Sequence, residues 1–197
     1  MSRSLTTRSP RLVTTLALVV LGLMLGLVGP LAAAPRAGAT VCEAPWGSLA
    51  KTSSAHTTKP LTGVRTGQNL CYDRLVIDIG RSGTGGVGYD VRYVTTVYSE
   101  GQGAPLPVRG AADIKVTINA PAYHVTTGAP TYTPANPNEL ANVSAYRTFR
   151  QLRWGGSFEG QSTIALGVRA RLPMRVFVLS STDGSRRLVI DVAHLWY

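Results

Sequence analysis

The densest chemistry in the chain lies at 147–161, Arg-Thr-Phe-Arg-Gln-Leu-Arg-Trp-Gly-Gly-Ser-Phe-Glu-Gly-Gln, which holds three Arg, one Trp and two Phe around a glycine-bounded turn. Arg and aromatic side chains together make amphipathic contact surfaces, and a guanidinium grips a carboxylate in a two-pronged geometry. A glycan bearing carboxylates suits such a surface. The same residues also read as a strand whose Phe and Trp face a core while its Arg face water. The candidate ligand-binding residues are Arg150, Arg153, Trp154 and Glu159, on one exposed surface near the turn at 155–160. In a strand, Arg150 and Trp154 share a face and Arg153 lies opposite, so they converge only where the glycines bend the chain.

Other motifs match known chemistry less well. Gly83-Thr84-Gly85-Gly86-Val87-Gly88 fits G-x-G-x-x-G. A dinucleotide site needs a helix directly after it, to hold the pyrophosphate at its N-terminus. Residues 89–98 instead have a period of two, so the glycines read as a hairpin loop. Ser48-Leu49-Ala50-Lys51 matches the S-x-x-K of penicillin-interacting serine enzymes, but the partner motifs S-D-N and K-T-G are absent. His56, His124 and His194 are far apart, without metal-ligand spacing, and His194 reads as a packing or capping residue.

Asp78 and Asp191 occupy matching places in Arg74-Leu-Val-Ile-Asp-Ile and Arg187-Leu-Val-Ile-Asp-Val. They could converge as a carboxylate pair for acid–base work. The alternative is that each ends a central strand and meets Arg74, Arg187 or a loop amide. No catalytic residue, metal ligand or cofactor is assigned, and the chain reads as not an enzyme.

The elements that carry these residues are strands. Ala112, Ile114, Val116 and Ile118 alternate with Asp113, Lys115, Thr117 and Asn119, the cleanest half-buried pattern. Tyr89, Val91, Tyr93 and Val97 alternate similarly; Ile164, Leu166 and Val168 share one face, as do Met174, Val176 and Val178. The echoed hexapeptides are apolar on both sides and read as central strands of paired sheets. Glycine-, proline- and Asp-Gly-rich turns separate the runs. Residues 121–138, with four prolines, read as a long surface loop. The expected fold is therefore all-β: an antiparallel two-sheet sandwich of about eight short strands, with at most one short helix turn, at 138–142.

The full chain of 197 residues carries a net charge of +10, but that figure includes its start. Residues 1–39 hold Arg3, Arg8, Arg11 and Arg36 and no acid, an almost wholly apolar run at 16–34, and then Ala37-Gly38-Ala39. This is the order of a Sec-type signal peptide cleaved near Ala39-Thr40; retained, the run is long enough to act as a membrane anchor. Without it, sixteen basic residues face ten acidic ones, a net +6. That balance suits an anionic envelope or polymer and falls short of a nucleic-acid-binding stripe. Cys42 and Cys71, 29 residues apart, form an even pair that reads as one disulfide in an oxidising compartment. The domain organisation is a signal peptide (1–39), a flexible tether (40–60) and a β domain (61–197).

Five runs occur in order: Cys71-Tyr-Asp-Arg-Leu-Val-Ile-Asp-Ile, Gly88-Tyr-Asp-Val-Arg-Tyr-Val, Trp154-Gly-Gly-Ser-Phe-Glu-Gly, Leu172-Pro-Met-Arg-Val-Phe-Val-Leu and Arg187-Leu-Val-Ile-Asp-Val. The series resembles the AMIN-like domain of secreted actinobacterial envelope proteins over about residues 44–197. The resemblance implies a two-sheet β fold related to AMIN domains, which localise cell-wall amidases and secretion machinery by binding envelope components such as peptidoglycan. The zinc ligands of the amidase catalytic domain are missing, so hydrolase activity does not carry over. The expected function is an exported, non-catalytic domain contacting peptidoglycan or an attached anionic polymer. The alternative is a protein that docks on another envelope protein.

Overall fold

The computed structural model describes Cys42 and residues 44–196. The expected signal peptide and its cleavage site lie outside the described residues. Among the described residues, nine strands follow in chain order: β1 (Lys51–Ser53), β2 (Leu61–Gln68), β3 (Tyr72–Ile79), β4 (Gly88–Val94), β5 (Ala112–Asn119), β6 (Phe149–Phe158), β7 (Gln161–Val168), β8 (Met174–Ser180) and β9 (Arg186–Ala193). They form two antiparallel sheets, β1-β4-β5-β7-β6 and β2-β3-β9-β8. The all-β, two-sheet fold is as the sequence periodicity predicts.

Alternation places the core. Leu75, Ile77 and Ile79 of β3 join Leu188, Ile190 and Val192 of β9 and Met174 of β8 in one buried cluster. The same cluster takes Val91, Ile114, Val116, Ile118, Ile164 and Leu166 from the other sheet. The second face of that sheet is also covered, since Ala165 packs with Val97 and Leu106 in a smaller cluster. Both faces of β7 are therefore buried, which its run of apolar and small residues allows.

Three details differ from expectation. The echoed hexapeptides are central strands, but of the same sheet, and hydrogen-bonded to each other. Antiparallel pairing of Arg-Leu-Val-Ile-Asp with itself sets each Arg opposite the other copy's Asp, so Arg74 faces Asp191 and Asp78 faces Arg187. Opposite charges on facing positions favour this register over one that pairs like with like.

Second, 138–142 has no helical turn. The Asn138 amide donates to the Asn136 side chain, and the Leu140 amide to the Leu152 carbonyl, so a local side-chain bond and a bond to β6 replace helical ones. Third, part of the expected tether is structured: β1 pairs with β4 as an edge strand. Three residues of Lys-Thr-Ser are too short to show a period of two. Just beyond, Lys59 is buried and its Nζ donates to the carbonyls of Arg81 and Gly184, at 2.8 and 3.0 Å.

The same stretch explains the glycine-rich motif. Residues 55–57 lie directly on it, with the Thr57 amide donating to the Asn119 carbonyl and Thr57 bridging Gly85. A Cβ on Gly85, whose φ is +90°, would stand 2.2 Å from the His56 carbonyl oxygen, and one on Gly88 would stand 1.7 Å from that of Ala55. The glycines are seats for a crossing backbone, and β4 rather than a helix follows them. Gly88→Ala is accordingly expected to cost about 2–3 kcal/mol through overpacking, measured by urea unfolding. A loss below about 0.5 kcal/mol, the scale of an ordinary surface change, would contradict this packing.

Candidate functional site

The bends of β6 decide where the expected site residues point. The strand's register with β7 shifts between Phe149 and Gln151 and again between Trp154 and Ser157. Such a bulge places two residues opposite one and breaks simple alternation. Phe149 and Leu152 are both fully buried, and Trp154 packs on the same core, edge-on to Tyr132 at 5.1 Å and 74°. Arg153 donates from Nε to Asn138 Oδ1 at 3.1 Å and from Nη1 to the Pro107 carbonyl at 2.8 Å. Arg150 turns back on the carbonyls of Tyr146, Arg147 and Phe149.

Glu159 sits in the β6–β7 turn with φ +48°. Nine residues of extended chain separate it from Arg150, roughly 30 Å at the rise of a strand. The structure therefore does not gather Arg150, Arg153, Trp154 and Glu159 on one surface. Trp154→Ala is expected to cost about 2–3 kcal/mol by thermal or denaturant unfolding, less than a fully buried Trp because Trp154 is only half-buried. An unchanged stability would place the ring outside the core.

A different arrangement of Arg and aromatic residues does converge, on the outer face of the four-stranded sheet. Asp191 stands in register between Arg74 of β3 and Arg175 of β8. Its carboxylate is fully buried and accepts from Arg74 Nε at 2.6 Å, Arg74 Nη2 at 2.9 Å and Arg175 Nε at 2.8 Å. The bond to Asp191 raises the Arg74 pKa above the ordinary Arg value. Two residues along on the same faces come Tyr72 and Phe177. Trp46 completes the group, edge-on to Tyr72 at 5.8 Å.

Arg175 lies 4.4 Å from the Trp46 ring centre, 5.4 Å from Tyr72 and 5.3 Å from Phe177, and Arg74 lies 5.1 Å from Tyr72 and 5.7 Å from Phe177. The carboxylate is sealed beneath while rings and guanidinium edges remain half-exposed. The half-exposed rings offer apolar surface for a sugar, and the guanidiniums offer donors for hydroxyl or carboxylate oxygens. The disulfide Cys42–Cys71, with Cα atoms 5.3 Å apart, ties the segment that carries Trp46 to the residue before β3.

An AMIN-like domain family model matches residues 59–194, more than half of the chain. The chain belongs to the AMIN-like domain family. No curated protein and no solved structure matches it. Membership points to an envelope-associated binding domain of a family whose members are typically non-catalytic, and membership with the disulfide points to an extracytoplasmic protein.

The remaining sequence motifs of this AMIN-like protein engage separate partners. Ser48 Oγ accepts from Arg171 Nε at 3.1 Å and Lys51 Nζ donates to the Trp46 carbonyl at 2.9 Å, so Ser48 and Lys51 bond to different neighbours and lie on no helix. Asp78 pairs with Arg65 at 2.8 Å and Asp191 with Arg74 and Arg175, so the two carboxylates serve separate ion pairs. His194 is buried, with Nε2 3.0 Å from Asp73 Oδ1 and Nδ1 3.1 Å from the Leu70 carbonyl. Among the described residues no group of His, Cys, Asp and Glu is arranged to hold a metal.

Sequence reasoning missed the outer-face group because its parts lie in three distant segments. The signal was present as two i, i+2 pairs, Tyr72 with Arg74 and Arg175 with Phe177, each an Arg and an aromatic on the outward side of an otherwise apolar strand.

Proposed function

We propose that this AMIN-like domain is an exported, non-catalytic binding module that contacts peptidoglycan or an anionic polymer attached to it. The observation that carries the reading is the outer face of the four-stranded sheet, where Trp46, Tyr72 and Phe177 interleave with Arg74 and Arg175. Sugar rings pack against the half-exposed aromatic rings while carboxylate or phosphate oxygens meet guanidinium edges. Family membership and the net +6 of residues 40–197 support the same ligand class.

The test is cosedimentation of the purified, oxidised protein with isolated cell walls across a salt series. Retention at low salt that falls as salt rises is expected, because exposed charges are screened within about 8 Å at physiological ionic strength. No retention at any salt, together with one specific crosslinked envelope protein, would replace this reading with docking on that protein.

A further inference from the structure

A second basic feature lies apart from the outer-face group, in a cavity of about 360 Å³ lined by Tyr146, Arg147, Arg150, Arg169, His194 and Leu195. Three arginines line it, and among the described residues none forms a salt bridge with a carboxylate. They are oriented by neutral oxygens instead. Arg150 donates to three carbonyls, at 3.1, 2.8 and 3.2 Å, and Arg169 donates to the carbonyl of His194. Carbonyls fix a guanidinium without cancelling its charge, and a guanidinium carries five N–H donors, so both retain donors for a ligand. Arg147 is exposed and makes no side-chain hydrogen bond among the described residues. His194 lines the cavity with its ring anchored on buried Asp73.

We propose that this cavity is a phosphate-binding site, taking the phosphoryl group of a phosphodiester or related phosphorylated ligand. A planar carboxylate is satisfied by one Arg fork, whereas three arginines lining one cavity match the several oxygens and higher charge density of a phosphoryl group. Among the described residues, no acid lines the cavity. Leu195, 54% exposed, gives it an apolar rim for the organic part of the ligand. Assignment of that ligand to a wall polymer rests on the reading above; the phosphate site itself does not.

The experiment is titration of the oxidised protein with inorganic pyrophosphate by calorimetry at low ionic strength. One saturable site is expected. Arg147→Gln with Arg169→Gln should weaken it at least about tenfold, since charge-assisted bonds to each guanidinium are lost. Arg147→Gln alone removes an exposed side chain that makes no hydrogen bond among the described residues, so its effect separates binding from folding. It should lower affinity by itself, while Arg153→Gln, outside the cavity, should leave affinity unchanged.

Wild-type affinity in the double variant, or an equal loss in Arg153→Gln, would overturn the site. Walls retained by wild type, with pyrophosphate affinity untouched in the double variant, would refute the cavity and leave the wall reading intact. Pyrophosphate affinity lost in the double variant, with no retention of wild type on walls, would uphold the cavity and refute wall binding. A parallel arm with phosphatidylglycerol vesicles and soluble poly(glycerol phosphate) identifies the source: retention of either, abolished by the double variant, supports the site.

Discussion

Asp73→Ala is expected to lower the free energy of unfolding by about 3–5 kcal/mol, since it strands several buried donors at roughly 1–3 kcal/mol each. Asp73 is fully buried at the start of β3. Its Oδ2 accepts the amides of Thr148 and Phe149, at 2.6 and 2.9 Å, and its Oδ1 lies 3.0 Å from His194 Nε2. Thr148 and Phe149 enter β6 of one sheet, and His194 follows β9 of the other. One carboxylate therefore joins the two sheets at this end of the sandwich. Asp73→Asn keeps one oxygen acceptor and should lose less than Asp73→Ala. Chemical denaturation followed by circular dichroism measures both, and a loss below about 1 kcal/mol for the Ala variant, the size of one ordinary hydrogen bond, would contradict this role.

Replacing Cys42 and Cys71 together by Ser should cost about 3–4 kcal/mol, the chain-entropy value for a loop of this length. The bridge spans 29 residues, and the loop it closes contains β1, β2 and Trp46. Without it, Trp46 loses its covalent tie to the strand that presents Tyr72 and Arg74, so ordering of the outer face should weaken along with stability. Parallel denaturation of oxidised and doubly substituted protein tests this, and equal stabilities would show that the bridge constrains nothing the fold does not already hold.

Strand identity was legible wherever one face of a strand is apolar. β5 shows this most clearly, with Ile114, Val116 and Ile118 all fully buried. Period-two arguments failed where geometry departs from a regular ladder. The bulge at the start of β6 put Trp154 on the core side and directed Arg150 elsewhere, and nothing in its local composition announces a register shift. β1 was hidden because a short polar edge strand draws its order from its partner. The echo of β3 and β9 was visible, but choosing between one sheet and two needed the pairing of Arg with Asp across the strands.

The sequence reading sought Arg beside aromatic residues, and the outer face of the four-stranded sheet brings such residues together. Clustering in sequence, however, favoured a single segment, whereas the converging group draws on Trp46, on β3 and on β8. Hydrogen bonding across antiparallel strands brings residues together that are over a hundred positions apart, as with Arg74 and Asp191.

The most direct test of the central claim is wall cosedimentation of the Trp46→Ala/Arg175→Gln variant beside wild type at low salt. Asp191 keeps its two bonds to Arg74 in that variant, so the sheet retains its buried ion pair. The variant is predicted to keep the wild-type circular dichroism spectrum and to lose wall retention by about tenfold or more, the effect of losing roughly 1.4 kcal/mol of binding. A folded variant that sediments with walls as well as wild type would contradict the assignment of binding to this face.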